Sequence, residues 1–454
     1  MVDLIEKGKL HVAAGCGRIK EHIIERGEGS WVYTNEEKLL DFTCGIGVTN
    51  LGHCHPRITK AAQEQVGTLV HGQCSIGFTR PYVELIEKLL QVMPDPSLDS
   101  FFFRCMFSHA IKLNSGSEAV ENAIKVARKS SGKTHGNIIC MQGSYHGRTY
   151  GASALTKSKT IYAEQVGNGM PGIYTTPFPY AHQMGLPQST SEEELVKHCL
   201  FQLEMLLAQQ SAPVDTAAII LEPVLGEGGY VPAPTSFLHG LRKICDDNNI
   251  MLILDEVQSG FGRTGKYFAV EHSGVRPDIL VIAKGIANGF PLSAIVTRKE
   301  LTDKMPKGSL GGTYSGNAIS CAAGVECANV MKEEQILDNV NARSVELFTA
   351  LKQLQDDHET KDFIADVRGL GLMIGVEFVS STKHPIPSAV IKNSTPDNIG
   401  AKVQKKCLEK GLMLLTTSAF DVIRFIPPLT ISKEEMELGC KIFKESVREV
   451  VKQE

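Results

Sequence analysis

The stretch MLILDEVQSGFGRTGKYFAVEHSGVRPDILVIAKGIANGF, residues 251–290, decides the fold. It contains two short aliphatic runs, residues 251–254 and 279–283, closed abruptly by Asp255 and Lys284. Runs of this length, too short for helices and apolar at every position, suit strands buried on both faces of a parallel sheet. A third run upstream, residues 217–221, ends the same way on Glu222. In open α/β sheets ligands bind beyond the carboxyl ends of the strands. Glu222, Asp255 and Lys284 are therefore expected at one edge of one sheet. A solvated strand end accounts for each residue alone. Three together, with glycine-rich turns after Asp255 and Lys284, point to a site.

A lysine at the end of a buried strand is partly desolvated, which lowers its pKa and makes its amine nucleophilic. Pyridoxal phosphate condenses with such an amine, and an acid at its pyridine nitrogen completes the pattern. Asp255 can fill that second role. The stretches LDEVQSGFGRTG (254–265), PDILVIAKGIANGFPLSA (277–294) and GGTYSGNAIS (311–320) carry the comparison further. In these residues the chain resembles the class III pyridoxal-phosphate-dependent aminotransferases, from about residue 20 to 450, and within them most closely the 4-aminobutyrate aminotransferases.

The bulk properties agree with an ordinary enzyme. The chain has 454 residues, 42% hydrophobic and 22% charged, enough for one large domain plus a smaller one. A net charge of −4 gives no sign of nucleic-acid or membrane-surface binding, and no apolar run approaches a bilayer span. The 12 cysteines form no C-x-x-C pair, so structural zinc is not expected and free thiols in a reducing compartment are. The first residues, MVDLIEKGKL, lack the pattern of a secretory signal or transit peptide, which favours the cytosol over the mitochondrion.

Along the chain, residues 1–30 read as a helix and an extended arm, and residues 31–33 and 39–42 as a hairpin turning at Asn35. The loop that follows holds Ile46 and the triplet His53-Cys54-His55. Two histidines without further clustered ligands fall short of a tetrahedral set, so no metal is expected. Residues 57–92 are helical in pattern with a break at 71–78, and residues 101–103 read as a buried strand. In NSGSEAVENAIKVARK (114–129), Ser115 and Glu118 have capping-box spacing ahead of a helical apolar face. A glycine-containing turn opening a helix offers free N–H groups to an anion, though many such turns are only helix starts. After the strand 137–141, GSYHGRTYGA offers Tyr145 for stacking, His146 for support and Arg148 for a carboxylate. A helix is expected at 192–209 and another capped by Thr235. In the tail, residues 335–354 read as helix, 366–378 as strand-rich, and 399–410, 412–417 and 422–426 as helix, strand, strand, before a last helix after Ser432. The three-proline stretch 383–397 is the expected flexible loop, and Arg424, inside an apolar strand, is either an edge solubiliser or an anion ligand.

The resemblance implies a type I pyridoxal-phosphate fold of class α/β. It has a large domain with a mostly parallel sheet (71–330) and a smaller α+β domain formed by 331–454 with the N-terminal segment 1–70. It further implies a homodimer with sites at the interface, where Thr313 reaches the phosphate of the neighbouring subunit's cofactor. By the same resemblance Gly116 and Ser117 hold the phosphate, and Tyr145 and His146 flank the ring. Val257 packs beneath it, Gln258 bonds its hydroxyl, Asp255 meets its nitrogen, and Lys284 binds it and then serves as base. Ile46 lines the substrate pocket, Arg148 takes a distal carboxylate, and Glu222 gates Arg424, which receives the α-carboxylate of a dicarboxylic acid. The expected reaction is ping-pong transfer of an amino group from an ω-amino acid of 4-aminobutyrate type to 2-oxoglutarate. Acetylornithine or ornithine aminotransferase ranks second. Another pyridoxal-phosphate reaction on this fold, or a catalytically dead relative, remains open.

The chain departs from the family once. Residues 104–113, RCMFSHAIKL, lengthen by about nine residues the junction that carries the phosphate turn, where 2–6 residues are usual. A genuine insertion or translated non-coding sequence accounts for it, and the intact flanks favour the second. An insert that disables phosphate binding would leave a cofactor-deficient relative.

Overall fold

The computed structural model describes residues 4–73, 76–102, 114–167, 169–379 and 398–453. Phe103, residues 104–113 and the loop 383–397 lie outside the described residues. Seven strands form the central sheet: β1 (Ser100–Phe102), β2 (Asn137–Met141), β3 (Ile173–Thr176), β4 (Thr216–Leu221), β5 (Met251–Asp255), β6 (Ile279–Ile282) and β7 (Ala294–Thr297). Their order is β1-β7-β6-β5-β4-β2-β3. The pairs from β6 to β3 are parallel, and β7 runs antiparallel to both its neighbours.

The aliphatic runs are buried on both faces, which is why they read as continuous rather than alternating. Leu221, Leu252, Leu254, Leu280 and Ile282 join one core with Leu203, Phe237 and Leu241 of the helices Glu192–Gln209 and Thr235–Asn248. Ile220, Ile253, Ile279 and Val281 face the opposite core with Val120, Ile124 and Val126 of α1 (Gly116–Ser130). Each such side chain contributes about 1.5–3 kcal/mol by leaving water. The register sets Leu254 against Leu221, and Asp255 against Val281. Strand ends are thereby aligned, and Glu222, Asp255 and Lys284 emerge at one edge. Thr235, expected as a cap, is the first residue of its helix, with Pro234 at the boundary.

A second sheet is antiparallel, in the order Ile364–Leu370, Met373–Phe378, Val422–Phe425, Leu415–Thr417. The helices Ile336–Asp356, Ile399–Glu409 and Lys433–Val451 bury their apolar faces with it. The two ends of the chain meet in a third sheet. There the hairpin Trp31–Thr34 and Lys38–Asp41 is extended by Ile24–Glu28 and, in parallel, by Leu412–Met413.

Among the described residues, no three or more His, Cys, Asp or Glu side chains cluster as metal ligands; His53 and His55 pair separately with Asp41 and Glu334. No helix among them is long and apolar enough to cross a membrane.

Candidate active site

Beyond the carboxyl ends of β4, β5 and β6 lies a cavity of about 270 Å3. Ile46, Gly116, Ser117, Tyr145, His146, Arg148, Glu222, Asp255, Val257, Gln258 and Lys284 all line it. Residues from six separate segments thus converge, as the strand-end argument requires. Thr313 does not line it; its side chain is exposed on this chain.

Asp255 is the best-held group. Its Oδ1 accepts the Val257 N–H at 3.0 Å and its Oδ2 pairs with His146 Nδ1 at 2.8 Å, the His146 and Asp255 side chains both deeply buried. The carboxylate is thereby fixed as an acceptor facing the cavity. His146 Nε2 and Gln258 Oε1 are buried and have no hydrogen-bond partner among the described residues. Buried polar atoms are nearly always bonded, so these two mark where a polar group is expected.

At the other wall α1 begins at Gly116, and Glu118 reaches back to the Ser115 N–H at 2.9 Å in the expected capping box. Glycine is required here by space, because a Cβ at Gly116 would stand 2.8 Å from Val257 Cγ1. Gly147, at φ +123°, lets the loop close against the side chain of Ser117, and the Arg148 N–H donates to Ser117 Oγ at 3.2 Å. The residues fit pyridoxal phosphate in donor set and space. The start of α1 suits a phosphate, the orphaned Gln258 oxygen suits a ring hydroxyl, and the Asp255 carboxylate suits a pyridinium.

Lys284 follows β6 in left-handed backbone, φ +47°, a conformation that costs a non-glycine residue about 1–3 kcal/mol. Burial, reinforced by the positive charge of Arg424, pushes its amine down to about 8. Burial likewise pushes the Glu222 carboxyl up to about 7.

The expected Glu222–Arg424 pair does not form. Glu222 instead accepts the N–H groups of Tyr145 at 2.8 Å and Gly226 at 3.0 Å, bracing two loops of the cavity wall. Arg424 pairs with Glu227, five residues further on. The reason is local: Val224–Leu225 and Val231–Pro232 form a short hairpin whose glycine-rich tip carries Glu227 over the cavity. Burial works to raise Glu227, but the charge and hydrogen bond of Arg424 outweigh it and hold the carboxyl below its ordinary value. An acid set among glycines 226, 228 and 229 was the available signal, masked by the more regular strand-end pattern of Glu222. Arg424 lies on an inner strand of its sheet and is 4% exposed, which removes the edge-solubiliser alternative.

Two further side chains were missed. Tyr162 Oη donates to Glu227 Oε2 at 3.4 Å, and Thr417 Oγ1 approaches the same oxygen at 3.4 Å. The Arg148 guanidinium lies 4.6 Å from the centre of the Tyr162 ring and has no carboxylate partner among the described residues. Nothing local marks Tyr162; it follows a loop with no periodicity.

A sequence profile of the aminotransferase class-III family matches residues 13–447. The chain is 36% identical to the 5-aminovalerate aminotransferase DavT of Pseudomonas putida, over 98% of each chain. It is 35% identical to the 4-aminobutyrate aminotransferase GabT of Escherichia coli, over 97% of this chain and 96% of that one. Among solved structures, the omega transaminase from Pseudomonas jessenii in complex with PMP superposes with a TM-score of 0.86 at 26% identity, covering 99% of both chains.

Proposed function

Because the chain belongs to the class-III aminotransferases, we propose that it moves the amino group of an ω-amino acid of the 4-aminobutyrate or 5-aminovalerate type to 2-oxoglutarate. The single observation that carries this reading is the asymmetry of the two arginines. Arg148 is open at the cavity, while Arg424 is closed by Glu227. One carboxylate can be received without disturbing the pair, which suits a donor whose amine and carboxylate sit at opposite ends. A dicarboxylic acceptor must displace Glu227 to use both arginines.

Pyridoxal phosphate, when bound, supplies an electron sink for the pair left as the substrate C–H bond breaks. The chain's residues prepare that step. Gly116 and Ser117 receive the phosphate; Gln258 and Val257 fix the ring; Tyr145 covers it. Asp255, braced by His146, keeps a proton on the ring nitrogen. The Lys284 amine, neutral above about pH 8, takes and returns the substrate proton. In the proposed assembly, a homodimer, Thr313 serves the phosphate in the neighbouring subunit's site.

The test is a donor panel with 2-oxoglutarate, scored as glutamate formed. Turnover with 4-aminobutyrate or 5-aminovalerate is expected, and Arg148→Ala should raise KM for these donors and for 2-oxoglutarate by roughly tenfold or more, the loss of a charge-assisted carboxylate contact. A simple aliphatic amine should be little affected in its own half-reaction. Equal losses for all donors, or preference for ornithine or acetylornithine, overturn the reading.

A further inference from the structure

The ion pair over the cavity poses a problem that the two arginines do not solve. When a dicarboxylic acid takes Arg424, the Glu227 carboxylate is released inside a mostly buried site. An unpaired buried charge is costly, so it needs another cation within reach. Arg148 holds the second carboxylate of the same acid, and Lys284 is committed to the cofactor and the substrate proton. One cation remains. Lys159 is half-buried, and its ammonium has no hydrogen bond or ion pair among the described residues. It is placed by the same short turn that places Tyr162, because Lys159 is the residue before the 3-10 turn Thr160–Tyr162. Tyr162 and Thr417 both hold Glu227 Oε2, leaving Oε1 to face Arg424. That arrangement lets the carboxylate pivot about one held oxygen. Burial lowers the Lys159 ammonium, and the Glu227 charge acts on it in the opposite sense.

We propose that Lys159 is a specificity-determining residue that receives the Glu227 carboxylate when a dicarboxylic acid displaces it from Arg424, with Tyr162 holding the oxygen about which it turns. The inference rests on the functional reading above. It gives the gate a second resting position, and it makes Lys159 matter for dicarboxylates and not for monocarboxylates.

The holoenzyme is titrated calorimetrically with glutarate and with valerate, two acids that bind without reacting. Lys159→Met should raise Kd for glutarate roughly tenfold while leaving that for valerate within about twofold, and Lys159→Arg should restore most of the loss. In a Glu227→Gln background no charge needs a new partner, so Lys159→Met should there have no effect on glutarate. Equal weakening of both acids shows a general field effect and overturns the proposal. A loss that persists in the Glu227→Gln background shows that Lys159 touches the ligand itself, and also overturns it. An unchanged glutarate Kd in Lys159→Met does so too. Wild-type enzyme that binds valerate but not glutarate overturns the dicarboxylate reading and the proposal with it.

Discussion

At the scale of single residues, chemistry here is set by what burial does to charge. Lys284 and Glu222 follow the strands on either side of β5, and burial moves them in opposite directions, the amine down to about 8 and the carboxyl up to about 7. Each shift disfavours the charged form. For Lys284 the sign means that the nucleophilic amine appears at a lower pH than for an ordinary lysine, whose value is 10.5. Competitive acetylation of the cofactor-free protein should therefore show the Lys284 peptide reaching half-maximal reactivity near pH 8. The exposed Lys243, raised by its hydrogen bond to Asp247, should require a higher pH. A Lys284 midpoint near 10.5 would show that burial does not act on this amine. The sequence exposed this residue because an apolar run ended on it. It did not expose Tyr162 or Lys159, whose importance comes from neighbours distant in the chain.

At the scale of elements, the start of α1 is the proposed phosphate site, and two glycines shape it for different reasons. Gly116 needs space beside Val257; Gly147 needs both space beside Ser117 and a left-handed backbone. Gly147→Ala should displace the loop against Ser117 and weaken cofactor binding, measured by equilibrium dialysis, by at least about tenfold, since small displacements at such sites are expensive. Gly132 provides the control. It also has positive φ, +69°, but beyond its chain neighbours no atom of the described residues lies within 4 Å of where a Cβ would stand. Gly132→Ala should lower stability modestly through backbone strain alone and leave cofactor affinity unchanged. Equal affinity losses in both variants would assign the effect to general destabilisation. The helix and its capping spacing were legible in the sequence; the partner surface that forbids a side chain at Gly147 was not.

At the scale of the molecule, the two larger sheets are joined by a buried polar network. Glu377, 1% exposed, receives the Tyr180 hydroxyl at 2.6 Å and also binds His182 and Arg368. Arg368 donates in turn to the Gly229 carbonyl at 2.8 Å and 3.1 Å, next to the tip that carries Glu227. Burial opposes ionisation of Glu377, but the Arg368 charge outweighs it and holds the carboxyl down to about 2. Because the folded value lies below the unfolded 4.5, its stabilisation is complete above about pH 4.5 and is lost as pH falls towards 2. Glu377→Gln should cost about 3 kcal/mol in denaturant unfolding at pH 7, the scale for breaking a buried pair. The gap between wild type and variant should close between pH 4.5 and 2. A gap independent of pH would assign the loss to packing rather than charge.

The sequence by itself determined the parallel sheet, the edge at which the cavity lies, the lysine and acid that line it there, and the turn that opens α1. These features are local: an apolar run of strand length, closed by a charged residue and a glycine, carries its own meaning because the side-chain pattern and the backbone period are properties of neighbouring residues. Only the tertiary structure decided which acid closes over Arg424. Glu222 and Glu227 are both acids five residues apart, and both line the cavity. The choice fell to Glu227 because a two-stranded hairpin lifts its tip across the space between two sheets, while Glu222 is already satisfied by two backbone N–H groups. Pairing between charges depends on distance through space, and no pattern along the chain encodes that distance.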